Sequence, residues 1–196
     1  MSSDSGEKPI RTISSREVYR NPWCSVREDV IERSVTPNGK GERGVYGVMD
    51  KEPACIVIPL ESAEDGEFVW LVRQYRYTVG DTFYELPQGG WETAGVDPEE
   101  LARGELKEET GLAAASMTLL GMQWIAYGFT RQRQFIFLAT GLTETEKDPD
   151  PEEHDLAVRS FPIAEFETML LDGTIRDNCT HAAWGLYMVW KSRQPR

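Results

Sequence analysis

A turn-rich segment that runs directly into a short helix constrains the fold of this chain more than any other feature of its sequence. Residues 85–92 read Glu-Leu-Pro-Gln-Gly-Gly-Trp-Glu, and proline and glycine at this density are incompatible with a regular helix. Asp97 then suits the N-cap of a helix, and Pro98 suits its first position. Gly111 suits the left-handed position that ends a helix. The sequence therefore predicts a glycine-containing loop that leads into a helix over residues 98–110.

Three glutamates lie close together on this predicted helix. An α-helix turns by about 100° per residue, so Glu105, Glu108 and Glu109 fall within an arc of roughly 100°. Their charges repel one another, and no Lys or Arg on the same arc offsets them. A solvated acidic face is the ordinary interpretation of such a run taken alone. The preceding glycine loop favours a metal site instead, because loop carbonyls and helix carboxylates would converge and Mg²⁺ prefers oxygen ligands.

The segment that contains these glutamates resembles the Nudix box, G-x5-E-x7-R-E-U-x-E-E-x-G-U, in which U is an aliphatic residue. The positions that match it at the expected spacing are Gly90, Glu105, Leu106, Glu108, Glu109, Gly111 and Leu112. The resemblance implies a Nudix hydrolase with Mg²⁺ or Mn²⁺ as its cofactor. It implies Glu105 and Glu109 as the principal metal ligands, with the backbone near Gly89 and the Glu108 carboxylate as further ligands.

Two positions depart from the motif. Val96 stands where the family has Glu, and Gly104 stands where the family has Arg. The family Arg lies four residues before Glu108 and holds that carboxylate, which Gly104 cannot do. Arg103 lies about 100° away around the helix and would have to curl back to replace it. We therefore expect an active but altered site.

Composition is consistent with one catalytic domain behind a small extension, divided here into residues 1–50 and 51–196. The chain has 196 residues, 40% of them hydrophobic, which is enough to bury a substantial core. A formal net charge of −12 argues against general nucleic-acid binding, which needs clustered Lys and Arg. The polar start lacks the apolar core of a signal peptide, and no apolar run approaches a membrane span. We expect a cytoplasmic protein without a membrane partner.

Strand-like segments followed by helices predict an α/β fold. The predicted strands cover residues 54–58, 68–72, 117–126, 134–140 and 156–161, and the predicted closing helices cover residues 163–171 and about 181–191. Short β-like stretches between residues 12 and 49 are interrupted by a turn at residues 36–41, which predicts a small antiparallel β-rich extension. The Nudix resemblance implies an α/β/α sandwich with a mixed sheet.

Two segments outside the box resemble the ADP-ribose pyrophosphatase branch of the family. Residues 73–76 read Arg-Gln-Tyr-Arg, and residues 85–87 read Glu-Leu-Pro. In that branch the β-rich N-terminus commonly serves dimerisation, so a homodimer is implied. Gln88 departs from the branch, which usually has Ala there. The Pro-Gln-Gly-Gly run here instead resembles the corresponding segment in hydrolases of capped RNA and dinucleoside polyphosphates.

Four side chains are candidates for substrate binding. Arg73 and Arg76 follow a strand that leads towards the glycine loop, and a guanidinium suits phosphate oxygens. A surface ion pair is the alternative for each. Trp23 could stack on a base, with ordinary packing or a dimer contact as the alternative. Glu85 belongs to the branch-like segment and is the fourth candidate.

The hydrolytic mechanism needs a water nucleophile and a general base. The resemblance places the base in an acidic loop, here residues 150–155, with Glu153 as the first candidate and Glu152 as the second. His154 competes for the role, and a solvated charged loop is the alternative for the whole segment. Glu92 and Glu108 are auxiliary candidates near the metal.

The sequence thus predicts Mg²⁺-dependent hydrolysis of a nucleoside diphosphate sugar, with ADP-ribose as the leading substrate and AMP and ribose 5-phosphate as products. Another nucleotide sugar such as GDP-mannose, or a dinucleoside polyphosphate, is the alternative substrate. The alternative from a different class is a non-catalytic nucleotide-binding module.

Overall fold

The computed structural model describes residues 9–33, 41–91, 95–145 and 156–195. The chain forms two compact units. The first comprises residues 1–52 and 124–132, and the second comprises residues 53–123 and 133–196. The division into residues 1–50 and 51–196 stays a prediction.

The first unit contains a three-stranded antiparallel sheet. Its strands, in spatial order, are β1 (Ile10–Arg20), β2 (Ser25–Arg33) and β3 (Glu42–Asp50). Asn21 shapes the connection from β1 to β2, because its side-chain oxygen accepts from the backbone N–H groups of Trp23 and Cys24 at 3.0 and 2.7 Å. The antiparallel extension is as predicted, although residues 36–40 of the expected turn lie outside the described residues.

The second unit is built on a mixed seven-stranded sheet within the described residues. Its strands are β4 (Ala54–Ala63), β5 (Gly66–Arg76), β6 (Asp81–Glu85), β7 (Gln88–Gly90), β8 (Leu112–Trp124), β9 (Arg133–Glu144) and β10 (Ala157–Pro162). The order is β10-β5-β4-β9-β8, with β6 beside β5 and β7 beside β4. Strand β4 runs parallel to β9 and antiparallel to β5 and β7. Its first seven residues are buried, as expected of a central strand.

Three helices complete the described part of this unit: α1 (Pro98–Thr110), α2 (Ile163–Leu171) and α3 (Asn178–Lys191). The predicted ends of α1 are confirmed, because the Asp97 carboxylate accepts from the N–H groups of Glu99 and Glu100, and Gly111 has a φ of 71°. Ala102 and Leu106 bury one side of α1 against apolar residues of β4 and β9. The Glu105 and Glu108 side chains of α1 border a pocket.

Several strands extend beyond their predicted ends, and two elements begin well before their predicted starts. Strand β8 begins at Leu112 and not at Met117, because the left-handed turn at Gly111 returns the chain directly into a strand. Helix α3 begins at Asn178 and not at His181, because the Asp177 carboxylate caps it by accepting from the N–H groups of Cys179 and Thr180. Among the described residues, no helix combines the length and apolar character that crossing a membrane requires.

Candidate active site

A pocket of about 460 Å³ in the second unit brings the acidic helix and the glycine segment together. Helix α1 contributes Glu105, Glu108 and Glu109 to its wall, and β7 contributes Gln88, Gly89 and Gly90. The end of β5 and the turn that follows it supply Gln74, Tyr75, Arg76, Tyr77 and Thr78. The three clustered glutamates thus face one pocket with the glycine backbone, as their helical spacing predicts.

The Glu105 carboxylate lies directly against the backbone of Gly89. A Cβ atom built on Gly89 would overlap both carboxylate oxygens and the carboxyl carbon of Glu105. Strand β7 pairs with β4 at this point, with Gly89 opposite Cys55, so the backbone cannot readily retreat. Glycine at position 89 is therefore a requirement of the Glu105 position.

The Glu109 carboxylate is held from the same strand. Its Oε2 accepts from the backbone N–H of Gln88 at 2.9 Å, and the residue is 2% exposed. Cys55 is completely buried on β4, opposite Gly89. Burial raises the pKa of the Cys55 thiol, and the negative charges of Glu105 and Glu109 raise it further. The Cys55 side chain is therefore an uncharged thiol.

These oxygens fit a hard divalent cation as a partial ligand set. Among the described residues, no three or more Asp, Glu, His or Cys side chains are gathered closely enough to form a complete metal site. Mg²⁺ usually keeps several water ligands and takes only one or two carboxylates, so a partial protein set is compatible with it. Glu105, Glu109 and the backbone at Gly89 are the groups that could hold the ion.

The Arg that the Nudix motif has at position 104 is not replaced by Arg103. The Arg103 guanidinium donates to Glu99 Oε1 at 2.8 and 3.0 Å and to the carbonyl of Ala114 at 2.8 Å. The bond to Ala114 ties α1 to the start of β8. Apart from the backbone of its own helix, the one described atom that a Cβ on Gly104 would meet within 4 Å is Glu108 Oε1, at 3.8 Å, which is an ordinary contact. The helix therefore has room for a side chain at position 104.

Arg76 reaches the pocket as a fixed cation. Its Nε donates to Glu85 Oε1 at 2.9 Å and its Nη2 donates to Glu85 Oε2 at 2.7 Å. Glu85 is 2% exposed, whereas the Arg76 side chain keeps 39% of its surface exposed. Burial alone would lower the pKa of Arg76, but the hydrogen bonds and charge of Glu85 outweigh it and the pKa is raised. The pair therefore presents a permanently charged, oriented fork of donors.

The structure separates Arg73 from this arrangement. Arg73 is three residues before Arg76 on β5, so its side chain leaves the opposite face of the sheet. Its guanidinium lies 6.0 Å from the centre of the Tyr84 ring. Arg73 and Arg76, considered together in the sequence, therefore have different surroundings.

The remaining predicted residues lie elsewhere or outside the described residues. Trp23 belongs to the first unit and is 61% exposed. Glu92, Glu152, Glu153 and His154 lie outside the described residues.

Sequence reasoning missed a polar network behind the pocket. It links Gln88 to Glu85, to Asp177 at the start of α3 and to Gln134 on β9. Thr180 is completely buried, and its hydroxyl donates to Asp177 while accepting from the N–H of Leu86. Only the departure at Gln88 and the N-cap preference of Asp177 could have pointed to this network.

A smaller space of about 230 Å³ adjoins the pocket, sharing Arg76 and Thr78 with it. It is further lined by Val79, Phe83, Glu85, Arg176, Asp177 and Asn178. Arg176 pairs with Asp81 at 2.7 Å and lies 4.8 Å from the centre of the Phe83 ring. Both arginines of this space are therefore already matched by carboxylates.

Comparison with known protein families identifies two matching segments. The model of the NUDIX domain matches residues 50–181. The model of the nucleoside diphosphate sugar hydrolase N-terminal domain matches residues 10–49.

Comparison with individual proteins identifies relatives that agree with these family matches. The chain is 31% identical over 172 residues to the ADP-ribose pyrophosphatase of Mycobacterium tuberculosis, covering 86% of this chain and 78% of the relative. It is 28% identical over 145 residues to the ADP-ribose pyrophosphatase of Bacillus subtilis, covering 74% of each. A crystal structure titled ADP compounds hydrolase superposes with a TM-score of 0.76 at 22% identity, covering 98% of this chain and 99% of the other. That likeness confirms the predicted fold.

Proposed function

The chain belongs to the Nudix family, and from that premise we propose that it hydrolyses the diphosphate linkage of ADP-ribose to give AMP and ribose 5-phosphate. Family membership and the pyrophosphatase relatives make it a pyrophosphohydrolase. The choice of ADP-ribose is supported by the names of both relatives. The single observation that carries the proposal is the convergence of Glu105, Glu109 and Arg76 on one pocket.

The proposed metal ligands are Glu105, Glu109 and the backbone carbonyl at Gly89, with Glu108 beside them. Nudix hydrolases use divalent metal ions, and Mg²⁺ or Mn²⁺ is the proposed cofactor. A divalent cation bound by these groups would neutralise diphosphate charge and would lower the pKa of its bound water. Gly89 permits the Glu105 carboxylate to lie against β7, and the N–H of Gln88 orients Glu109.

Arg76 is the proposed phosphate-binding side chain. Its planar donors suit phosphate oxygens, and Glu85 fixes the guanidinium before substrate arrives, so Glu85 acts through Arg76. Glu153, with Glu152 as the second candidate, is the proposed general base. Trp23 is proposed to contact the base of the nucleotide. Arg73 is retained only as a secondary contact, because the pocket wall contains Arg76 and not Arg73.

A homodimer in the cytoplasm is the proposed assembly and location. Strand β1 is exposed along its whole length and carries Ile10, Ile13, Val18 and Tyr19 at its surface. An exposed strand with apolar side chains is suited to association with a second copy. Sedimentation of the purified protein tests this: a species of twice the chain mass supports it, and a monomer at micromolar concentration contradicts it.

A second candidate substrate is another nucleoside diphosphate sugar, favoured by the N-terminal match to the nucleoside diphosphate sugar hydrolase family. The test is a panel of ADP-ribose, GDP-mannose, UDP-glucose and diadenosine polyphosphates, each incubated with Mg²⁺ and analysed chromatographically for its products. We expect the highest kcat/KM for ADP-ribose. Preference for another member would reassign the substrate, and binding of ADP-ribose without turnover would support the non-catalytic alternative.

A further inference from the structure

Gln88 is bonded through every polar group of its side chain. Its Nε2 donates to Glu85 Oε2 at 2.7 Å and to Asp177 Oδ2 at 3.1 Å. Its Oε1 accepts from Gln134 Nε2 at 3.0 Å. Its backbone N–H donates to Glu109, so one residue contacts both the partner of Arg76 and a proposed metal ligand.

The orientation of this amide follows from the chemistry of its neighbours. Ionised carboxylates only accept hydrogen bonds, so the NH₂ group of Gln88 must face Glu85 and Asp177. Its oxygen then faces the NH₂ group of Gln134. The oxygen of Gln134 in turn accepts from Gln123 Nε2 at 2.7 Å. Three amides thus donate in one direction, from β8 through β9 and β7 to Glu85.

The amide also joins two carboxylates that would otherwise repel each other. Glu85 ends β6, and Asp177 caps α3, yet both accept from the same Gln88 nitrogen. Removing that donor would leave Glu85, which is 2% exposed, with Arg76 as its remaining side-chain hydrogen-bond partner among the described residues. The Arg76–Glu85 pair could then shift relative to the pocket.

We propose that Gln88 is a positioning residue that fixes the Arg76–Glu85 pair relative to the carboxylates of α1. The inference rests on the proposed function, because it treats Arg76 as the side chain that meets substrate phosphate. It separates two roles of Gln88: the side chain supports Arg76, and the backbone supports Glu109.

Because Gln88→Ala and Gln88→Met remove the side-chain role and keep the backbone role, they should change some kinetic constants and not others. Both variants remove the donor that holds the Arg76–Glu85 pair, and we expect KM for ADP-ribose to rise by roughly three- to tenfold, which corresponds to about 0.7–1.4 kcal/mol. We expect kcat and the Mg²⁺ concentration for half-maximal activity to change by less than about twofold, since the backbone bond to Glu109 remains. Gln88→Met keeps the side-chain volume, so an equal effect in both variants assigns it to hydrogen bonding.

A double-mutant cycle with Arg76→Lys tests whether Gln88 acts through Arg76. In the Arg76→Lys background, Gln88→Ala should change KM by less than about twofold, because the oriented fork is already absent. A purely structural Gln88 would change KM by the same factor in both backgrounds, and that result would overturn the proposal. Gln123→Ala is the matched control: it removes the first amide of the series without touching Glu85, and KM should stay within about twofold of the wild type.

The same variants are titrated calorimetrically with the α,β-methylene analogue of ADP-ribose in Mg²⁺. The Kd of the analogue should weaken in Gln88→Ala by the factor seen in KM. An unchanged Kd overturns the proposal even if catalysis is impaired. Wild type that binds the analogue but does not hydrolyse ADP-ribose would refute the proposed function alone, since the positioning effect is read from Kd.

Discussion

The backbone of Gly89 lies so close to the Glu105 carboxylate that a Cβ atom at residue 89 would overlap the carboxylate oxygens. The contact joins the glycine segment to the acidic helix, the two sequence features that predicted the site. Residue 89 must therefore be glycine for Glu105, a proposed metal ligand, to keep its position.

Gly89→Ala should therefore displace Glu105 without unfolding the protein. Misplacing a catalytic group by about 1 Å can cost about 100-fold, so we expect kcat to fall at least roughly tenfold. Steady-state kinetics and the thermal unfolding midpoint are the measurements. Gly185→Ala, at an exposed position of α3, is the matched control and should retain full activity, because no described atom outside its own helix backbone lies within 4 Å of the added methyl group. Full activity of Gly89→Ala would contradict the role of this contact.

Gly104→Arg should raise both the stability of α1 and the activity of the proposed site. Gly inside a helix costs about 1 kcal/mol relative to Ala, so filling position 104 should raise the free energy of unfolding. The new guanidinium, one turn from Glu108, should also hold that carboxylate and raise kcat/KM several-fold. Gly104→Ala separates the two effects, because it gives the stability gain alone. If Gly104→Arg is no more active than Gly104→Ala, the missing arginine at position 104 is not what limits turnover.

Thr180 is a buried link between α3 and the segment before β7. Its hydroxyl donates to Asp177 Oδ2 at 2.7 Å and accepts from the N–H of Leu86 at 3.0 Å. Thr180→Val keeps the shape but leaves this N–H unpaired, so the free energy of unfolding should fall by about 1–3 kcal/mol in urea titrations. Thr168→Val removes a comparable hydroxyl from the exposed side of α2. It should lower the free energy of unfolding by much less than Thr180→Val does. If the two variants lost the same free energy of unfolding, burial of the Thr180 hydrogen bonds would not determine their contribution to stability.

Asp29 of β2 should make the stability of the N-terminal sheet depend on acid pH. The Ser15 hydroxyl, followed by Arg27, lowers the pKa of Asp29 from its ordinary value of 3.8, against the opposing effect of burial. A lowered folded-state pKa contributes stability above 3.8 that is lost as the pH falls towards the folded-state pKa. Ser15→Ala should therefore be less stable than wild type at about pH 7, and the difference should shrink at about pH 3. A difference that stays constant between these pH values would contradict the assignment.

Local rules predicted the helices whose end signals were recognised in the sequence. Asp97, Pro98 and Gly111 delimited α1, and α2 was predicted with its observed bounds, residues 163–171. The start of α3 was missed because Asp177 was not recognised as a cap. The pairing of β4 with β9 is parallel and joins residues about eighty positions apart, which no local pattern encodes.

The candidate site was predictable where one helix face defined it. Glu105, Glu108 and Glu109 share a pocket because helical spacing forces them onto one side. Long-range side-chain pairing was not predictable. The bidentate bond between Arg76 and Glu85 depends on the register of β5 with β6, and the amide series ending at Gln88 depends on three further strands.

The dependence of ADP-ribose hydrolysis on Mg²⁺, measured for wild type, Glu109→Gln and Glu100→Gln, tests the central claim most directly. Glu109→Gln keeps an oxygen that can accept from the N–H of Gln88 but removes the negative charge, whereas Glu100 is exposed in the first turn of the same helix. We predict Mg²⁺-dependent release of AMP by wild type and Glu100→Gln, and a loss of at least roughly 100-fold in Glu109→Gln. Turnover that survives in Glu109→Gln, or that needs no divalent cation in the wild type, would contradict the account.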